Sequence, residues 1–384
     1  MNLAFKDIRF NVLRFLLTAV GVAFLMTASI GMVGLYRGIV ADALLVIERI
    51  GADLWIVQGG RQGPFAEGSA VAGTMDRRAE GLSGVASARR FVQFSQQFPF
   101  AGRSLRASIT GLDFPQDRGD WISLHSGRLL ASGHLEAVAD VSIGLRLGDM
   151  IRLGQDDYTI VGLARGMVDM GGDGLLFVTV NDAIAIAQRR TSEEVLLARA
   201  SAGPAAANRS SVPQDSKIAA VLVALTPTAD EAAVRRAVLA WGDANVLSRV
   251  DQRDLLLNQR LWRLRVQILA FTAVLLVVTG IVVSLIIYML TMEKLHEIAM
   301  LKLIGAENSV IISMIAQQSF LIGAAGLVLG LGLSALIFPF FPRKVLILPA
   351  DIALLGLAVA VICGFASLLG ISRALKVRAQ DVLS

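Results

Sequence analysis

The sequence predicts a membrane protein with four transmembrane α-helices and a mixed α/β extracytoplasmic (periplasmic) domain between the first and second helices. Two observations predict this fold. Hydrophobic residues make up 55% of the 384 residues and charged residues only 17%, whereas soluble domains are about one quarter charged. The hydrophobic residues also form four uncharged runs, each long enough to cross a bilayer, which takes about 20 residues. These runs are Phe15–Tyr36, Val266–Met292, Asn308–Pro342 and Ile352–Ser372.

The four runs divide the chain into nine predicted segments. In order they are a cytoplasmic tail (1–14), a first span (15–37), the extracytoplasmic domain (38–263), a second span (264–291), a cytoplasmic loop (292–307), a third span (308–338), an extracytoplasmic loop (339–350), a fourth span (351–372) and a cytoplasmic tail (373–384). Buried helices of a large soluble protein are the alternative, but core helices rarely stay uncharged for so long. A cleaved signal peptide is an alternative for the first run, which however exceeds the about 7–15 residues of a signal-peptide core.

Positive charges set the predicted orientation, because short cytoplasmic segments are enriched in Lys and Arg. The two tails and the loop between the second and third spans contain Lys6, Arg9, Arg14, Lys294, Lys302, Arg373, Lys376 and Arg378. Other basic residues near membrane ends, Arg260, Arg263, Arg265, Arg343 and Lys344, oppose this assignment. Both termini are predicted to be cytoplasmic. Because basic residues cluster where they meet lipid headgroups, the net charge of +5 indicates a membrane surface and not nucleic acid.

Local patterns in the extracytoplasmic domain predict alternating strands and helices. The first span is expected to continue as a helix through Ala41–Ile50, and Ala200–Ser216 to form a mobile loop. A hairpin is predicted at Gly148–Gly162, and a strand at Leu175–Val180 is followed by a helix capped by Asn181. A strand–helix–strand unit is predicted at Ile218–Val250, with Thr228 or Asp230 at the start of its helix. A long helix is predicted to run from Asp251 into the second span.

Catalytic and metal-binding motifs are absent from the sequence. A nucleotide-binding P-loop needs Gly immediately before Lys, and none of the six lysines follows Gly. The single cysteine, Cys363, lies in the fourth run, and His134 with Glu136 is interpreted as a solvated loop pair. We therefore expect a non-catalytic membrane subunit without a cofactor or metal of its own.

The interiors of the runs argue against an ion-coupled carrier, which usually needs ionisable groups at membrane depth. None of the four runs contains an acidic or basic residue, and the most polar side chains are Gln317 and Gln318, interpreted as helix–helix hydrogen-bonding groups. Gly323, Gly326 and Gly330 recur at a spacing that lets helices approach closely. Packing within the bundle and a homodimer seam are the two interpretations of these glycines.

The loop after the second span is predicted to contain a short charged helix. In a helix, Met292, Leu295, Ala299 and Lys302 share one face, whereas Glu293 and Glu297 share another. Gly305 is positioned to end this helix. An amphipathic connector resting on lipid headgroups is the alternative, which acidic residues disfavour because the membrane surface is anionic.

Residues Glu293–Ala306 resemble the Glu-x-x-x-Glu-Ile-x-x-Leu-Lys-x-x-Gly-Ala signature of the FtsX-like permease family, which includes MacB-type, DevC-like and lipoprotein-release subunits of ATP-binding-cassette (ABC) transporters. Gly51–Val57 resembles the start of that family's periplasmic domain, and Ser126–Arg128, Leu147–Asp149 and Val161–Gly162 follow its usual order. The tail Arg373–Leu383 resembles the family's ending, except that its usual Pro is replaced by Gln380 or Asp381.

The resemblance implies a homodimeric permease in the bacterial inner membrane that binds a separate cytoplasmic ABC ATPase. ATP and Mg would be bound by that ATPase. The loop helix would be the coupling helix, with Glu293, Glu297, Lys302 and Gly305 at the ATPase contact. A lipid, lipoprotein, peptide or small hydrophobic substrate would be exported or extracted, and a periplasmic adaptor or membrane-fusion protein is a further candidate partner.

Two other functions remain as alternatives. A regulator of the FtsX type moves no substrate and controls a cell-wall hydrolase through its outer domain; the large domain here favours an exporter. A membrane-anchored sensor would need a cytoplasmic signalling domain, for which the tails and the loop are short.

Overall fold

A computed structural model of the chain describes residues 12–188, 217–305, 307–341 and 343–376. The predicted loop Ala200–Ser216 and most of the predicted tails lie outside these residues. The chain divides into two compact units. One, called the membrane unit, is formed by the residues up to Ile39 together with those from Arg263 onward; the other, called the α/β unit, is Val40–Trp262.

The membrane unit contains four helices that are long and apolar enough to cross a membrane. They are α1 (Val12–Arg49), α6 (Trp262–Glu293), α8 (Asn308–Ile337) and α9 (Pro349–Lys376), with the short α7 (Leu295–Leu303) between α6 and α8. Because α1 is one helix as far as Arg49, it extends into the α/β unit, and the predicted helical continuation of the first span is confirmed.

Apolar side chains from all four long helices form the core of the membrane unit. Its buried members are Val22, Met26, Val283, Ile287, Ile298, Ile311, Ile315, Ile322, Val359, Cys363 and Ala366. Other large apolar side chains point outward, such as Leu336 (67% exposed) and Phe365 (69% exposed). An apolar surface of this kind suits a hydrocarbon surrounding, since lipid tails are as apolar as the side chains they contact.

The α/β unit is built on one mixed sheet. From one edge of the sheet to the other, the strands follow the order β12 (Ala244–Ser248), β1 (Leu54–Gln58), β11 (Ala220–Leu225), β3 (Val85–Phe100), β4 (Arg103–Leu112), β9 (Leu175–Thr179), β6 (Glu136–Asp140), β8 (Asp156–Ala164) and β5 (Leu124–Gly127). A further strand, β7 (Met150–Leu153), pairs with β8. Two further strands, β2 (Val71–Ala72) and β10 (Lys217–Ile218), pair with each other. The helices of this unit are α2 (Met75–Glu80), α3 (180–188), α4 (Glu231–Leu239) and α5 (Arg249–Leu255).

Both faces of this sheet are buried. Along β11, Val221 and Val223 belong to one hydrophobic cluster, whereas Ala220 and Leu222 belong to a second cluster on the other face. All five residues of β9 are buried. A strand covered on both faces is continuously apolar instead of alternating, which is why Leu175–Thr179 contains no charged residue.

Two predicted motifs of the α/β unit are confirmed. Strands β7 and β8 form an antiparallel hairpin that turns at Gly154, where φ is +67°. Strand β11, helix α4 and strand β12 form the predicted strand–helix–strand unit, and β1 lies between the two strands, antiparallel to both. Asp230 is the N-cap of α4 and accepts a hydrogen bond from the Ala232 amide.

Two predictions about where helices begin and continue were wrong. Helix α3 already begins at residue 180, so Asn181 lies inside it, and the Thr179 hydroxyl accepts the Asp182 amide instead. The predicted long helix from Asp251 is interrupted, because α5 is followed by a π-helical turn, Leu256–Arg260, before α6. Such turns insert one extra residue into the helical repeat.

His134 and Glu136 do not pair with each other. The His134 Nδ1 atom lies 3.0 Å from Asp182 Oδ1, and Glu136 forms an ion pair with Arg128. The carboxylate of Glu136 also accepts the amides of Ala131 and Ser132 at 2.9 and 3.0 Å. These contacts lower the pKa of Glu136 to about 2, chiefly through the Arg128 hydrogen bond.

Candidate functional site

Helix α7 is a separate helix between two spans. Helix α6 ends at Glu293, and the chain turns at Lys294, whose amide donates to the Thr291 carbonyl at 3.2 Å. The next helix starts at Leu295 and is nine residues long. The predicted short helix of the loop is therefore present, separated from the second span by this turn.

Gly305 ends α7 in the manner expected from the sequence. Its φ is +94°, and its amide donates to the Lys302 carbonyl at 3.1 Å. The Ile304 amide donates to the Met300 carbonyl, also at 3.1 Å. A left-handed residue after a helix satisfies the last carbonyl groups, and glycine adopts this conformation without the strain that a Cβ brings.

One face of α7 is anchored in the bundle. Ile298 is 1% exposed and Ala299 2% exposed, and Ile298 belongs to the hydrophobic core of the membrane unit. Leu295 and Lys302 are half-buried. Met292, predicted to share this face, is exposed, because it precedes the turn at Lys294 and so follows the phase of α6 rather than that of α7.

The opposite face of α7 combines a carboxylate with exposed apolar side chains. Glu297 is exposed on α7, and Glu293 is exposed at the end of α6. The turn at Lys294 separates them, so the prediction that both lie on one face of a single helix was wrong. Three large apolar residues near them in the chain are exposed as well: Met300 (44%), Leu303 (52%) and Ile304 (81%). Large apolar side chains exposed close to charged residues are common at protein–protein contacts. Sequence reasoning did not identify Met300, Leu303 and Ile304 as site residues. Their positions in the chain on either side of Lys302 were the available signal.

The glycines of α8 pack within the chain. A Cβ atom at Gly323 would lie 2.4 Å from Cys363 Sγ of α9, and one at Gly326 would lie 2.4 Å from Val22 Cγ1 of α1. At Gly330 it would lie 2.9 Å from Met26 Cβ. These glycines therefore let α8 approach α1 and α9 closely. Of the two interpretations given above, packing within the bundle matches the contacts of all three glycines.

The structure also reveals a contact at the other end of the membrane unit that sequence reasoning missed. The loop between α8 and α9 lies against α1, where the Leu346 amide donates to the Gly34 carbonyl at 2.9 Å. The Arg37 guanidinium binds both carboxylate oxygens of Asp351, at 3.1 and 2.8 Å. The signal available in the sequence was the pair of opposite charges at the ends of two spans, next to the glycines Gly31, Gly34 and Gly38.

Within the described part of the chain, no three His, Cys, Asp or Glu side chains lie close enough together to bind a metal ion.

Two family models match the chain. The model for the MacB-like periplasmic core domain matches residues 15–240, and the model for the FtsX-like permease C-terminal region matches residues 269–379. The second match contains α7 and the three glycines of α8.

Full-length relatives agree with these matches. A protein described as an uncharacterized ABC transporter permease of Mycobacterium tuberculosis is 24% identical over 381 residues, which is 97% of this chain and 96% of the relative. A protein of the same description from Mycobacterium bovis shows the same identity and coverage. A second Mycobacterium tuberculosis protein of this description is 22% identical over 376 residues, covering 97% of this chain and 96% of its own.

Two solved structures are similar to part of the chain. The crystal structure of the periplasmic region of MacB from Actinobacillus actinomycetemcomitans is 12% identical with a TM-score of 0.36, covering 56% of this chain and 96% of its own. The extracellular domain of the ABC-type transporter YknZ from Gram-positive bacteria is also 12% identical, with a TM-score of 0.33, covering 51% of this chain and 100% of its own.

Proposed function

The chain belongs to the MacB/FtsX-type family of ABC transporter permeases, and we propose that it relays ATP hydrolysis in a separate ATPase subunit to its own α/β unit. The relay drives the export or extraction of a lipid, lipoprotein, peptide or small hydrophobic substrate. In this proposal the chain is a multi-pass protein of the bacterial inner membrane with both termini in the cytoplasm, and it acts as a homodimer.

The exposed face of α7 is the observation that carries the proposal. Helix α7 is fixed to the bundle by Ile298 and Ala299 on one side. On the other side it presents Glu297 next to exposed Met300 and Ile304. A helix held rigidly on one face and apolar on the other can transmit a displacement of a bound partner to the spans, because packed helices move as units rather than deforming continuously.

The proposal gives each predicted residue near α7 a role in binding the ATPase. Glu293 and Glu297 supply negative charge for a basic patch of the ATPase, and Lys302 supplies positive charge at the C-terminal end of α7, where a cation also suits the helix dipole. Gly305 sets the direction in which the chain leaves the helix. ATP and Mg belong to the partner, since this sequence contains no P-loop lysine.

Further partners are part of the proposal. The α/β unit is large enough to receive a periplasmic adaptor or membrane-fusion protein in addition to a substrate. The alternative within the family is an FtsX-type regulator, in which the same relay would control a cell-wall hydrolase. A membrane-anchored sensor is the alternative outside it. Reconstituted vesicles distinguish an exporter from both alternatives. An exporter should remove a lipid or lipoprotein from the vesicles in a reaction that requires both ATP and this chain.

The test is to co-express the chain with the candidate ABC ATPase subunits of its own organism, to purify the complex through a tag on this chain, and to measure ATP turnover. We expect the ATPase to co-purify and its turnover to depend on this subunit. Glu297→Arg should reduce turnover to that of the ATPase alone, because it places a positive charge against a surface that the native carboxylate attracts.

The matched control is Glu80→Arg, the same charge change at an exposed position of α2 in the α/β unit. It should leave turnover unchanged. If the native chain recovers no ATPase, the transporter proposal is wrong and the sensor alternative takes its place. If Glu80→Arg and Glu297→Arg act equally, α7 is not the coupling helix.

A further inference from the structure

The two segments that connect the spans to the α/β unit differ in helical continuity. Helix α1 is one uninterrupted α-helix from Val12 to Arg49. The second segment, which leads from α5 into α6, contains the π-helical turn Leu256–Arg260. The Leu261 amide closes this turn by donating to the Leu256 carbonyl, five residues earlier, at 2.9 Å. One connection is therefore a regular helix, and the other contains an irregular turn.

Helix α5, which precedes the π turn, is fixed within the α/β unit. The fully buried Gln252 donates through Nε2 to the Gly63 carbonyl at 2.7 Å. Arg249 donates to the Ala52 carbonyl at 3.1 Å. Leu256, the first residue of the π turn, is 1% exposed. These contacts hold the N-terminal side of the turn to the rest of the unit.

The chain that follows Leu256 has few contacts of this kind. Within the part of the chain that the structure describes, the side chains of residues 257–267 form no hydrogen bond or ion pair. Leu261, 4% exposed, is the one buried residue among them, whereas Trp262 is 53% exposed and Val266 44% exposed. A segment with few buried side chains changes conformation at a low cost in free energy.

A π turn has a second conformation available that keeps the chain helical. It contains one residue more than an α-helical turn. If its hydrogen bonds change from the i→i+5 to the i→i+4 pattern, the extra residue turns the following helix by about 100°, the rotation per residue of an α-helix. Sharp bends in helices also occur at π turns. An uninterrupted helix such as α1 has no comparable alternative.

We infer that the π turn Leu256–Arg260 is the hinge of the proposed relay. Its hydrogen bonding changes during the ATPase cycle and α6 bends or rotates at Leu261, whereas α1 moves as one helix. The inference rests on the proposed function and names the segment in which the relay changes conformation. Hinges are formed by a few residues at the ends of secondary-structure elements, which absorb the change in backbone angles.

A cross-link across the turn in the purified permease–ATPase complex tests the inference. The pair Asn258→Cys and Trp262→Cys introduces two thiols at exposed positions, four residues apart and on either side of Leu261. The native Cys363 is buried, so a short bis-methanethiosulfonate reagent should react at the introduced pair. The cross-link holds the turn in one conformation, and a reducing agent removes it.

The measured quantity is the hydrogen exchange of residues 40–262 with and without ATP and vanadate. We expect a nucleotide-dependent difference before cross-linking, its loss in the cross-linked complex and its return after reduction. The ATPase should stay bound and ATP turnover should continue in the cross-linked complex, because α7 lies outside the cross-linked segment.

The matched control is the pair Val250→Cys and Asp254→Cys. Both positions are exposed and four residues apart, but they lie in α5, which is a regular α-helix. Their cross-link should leave the nucleotide-dependent difference unchanged.

Three results would overturn the inference. A difference that survives the 258–262 cross-link excludes the hinge and leaves the proposed relay in place. An equal loss in the control pair shows that cross-linking as such disturbs the unit and that the π turn has no special part. A native complex that hydrolyses ATP without any exchange difference in this unit contradicts the relay, and the hinge with it.

Discussion

The two units of this chain are both rich in apolar residues but use them in opposite ways. In the α/β unit, Phe177 is fully buried within a sheet covered on both faces, whereas in the membrane unit Phe365 is 69% exposed. The same residue type therefore contributes to stability through protein packing in one unit and through contact with lipid in the other. Apolar content alone does not locate the core; the surrounding solvent decides which side of a helix or strand is the interior.

Polar groups differ between the units in the same way. The α/β unit buries carboxylates in ion pairs, such as Asp117 with Arg89 at 2.7 Å. Away from the Arg37–Asp351 pair at their ends, the described spans instead contain hydroxyl groups that donate to their own helix, as Thr272 does to the Ile268 carbonyl at 2.9 Å and Thr291 to the Ile287 carbonyl at 2.7 Å. Hydrocarbon offers no water to polar groups, so they must be satisfied within the protein, and a neutral hydroxyl costs far less there than a charge.

The largest difference between the units is expected for aromatic truncation. Phe177→Ala should lower the free energy of unfolding of the α/β unit by about 3–5 kcal/mol, because it empties a fully buried position. Phe365→Ala should change stability by no more than about 0.5 kcal/mol, since the ring already faces outward. Hydrogen exchange of β9 and of α9 in the full chain measures both effects. Equal losses would show that the outward face of α9 is covered by protein.

A second difference is expected among the glycines of α8. Gly326→Ala should destabilise the membrane unit by about 1–3 kcal/mol, because the added Cβ would lie 2.4 Å from Val22. Gly332→Ala is the matched control, since nothing lies within 4 Å of its added Cβ. Thermal unfolding in detergent compares them. If both variants unfold like the native chain, α8 and α1 are not packed as closely as described.

A third difference concerns ion pairs. A double-mutant cycle of Arg37→Gln and Asp351→Asn should give a coupling energy of about 1–2 kcal/mol, because the pair is bidentate and the Asp351 side chain is only 10% exposed. The same cycle for Arg152 and Asp157, a pair at 3.9 Å with exposures of 68% and 56%, should give about 0–0.5 kcal/mol. A coupling energy near zero for both pairs would contradict the Arg37–Asp351 contact.

The smallest effect is a dependence on pH confined to the α/β unit. The pKa of folded Glu136 is about 2, below its ordinary value of 4.5. The ionised carboxylate is therefore stabilised by folding, so this contribution is fully present above about pH 4.5 and is lost as the pH falls toward 2. Glu136→Gln should lower the stability of the unit at pH 6 and reduce the further loss between pH 6 and pH 3. An unchanged pH profile would contradict the Arg128–Glu136 contact.

Features fixed by neighbouring residues were predictable from the sequence. The four spans follow from long uncharged runs, the β7–β8 hairpin from two strand-like segments around Gly154, and the end of α7 from Gly305. In each case the deciding interaction lies within about one turn or one hairpin of the residue that signals it.

Features that depend on distant residues were not predictable. The parallel pairing of β4 with β9 joins segments about 65 residues apart in the chain, and Arg37 meets Asp351 across 314 positions. The exposure of Met292 required the turn at Lys294, and the apolar half of the α7 surface required knowing that Ile298 faces the bundle. The proposed role of α7 comes from the family resemblance, and the structure shows which of its side chains are accessible.

The central claim is that α7 transmits the conformational change driven by ATP hydrolysis to the α/β unit. Hydrogen exchange of the permease–ATPase complex tests this claim most directly. The exchange of residues 40–262 would be compared with and without ATP and vanadate, which traps the hydrolysing state. We expect nucleotide-dependent changes in the native complex that disappear in Glu297→Arg and persist in Glu80→Arg. Exchange in this unit that is identical with and without nucleotide, in a complex that hydrolyses ATP, would contradict the claim.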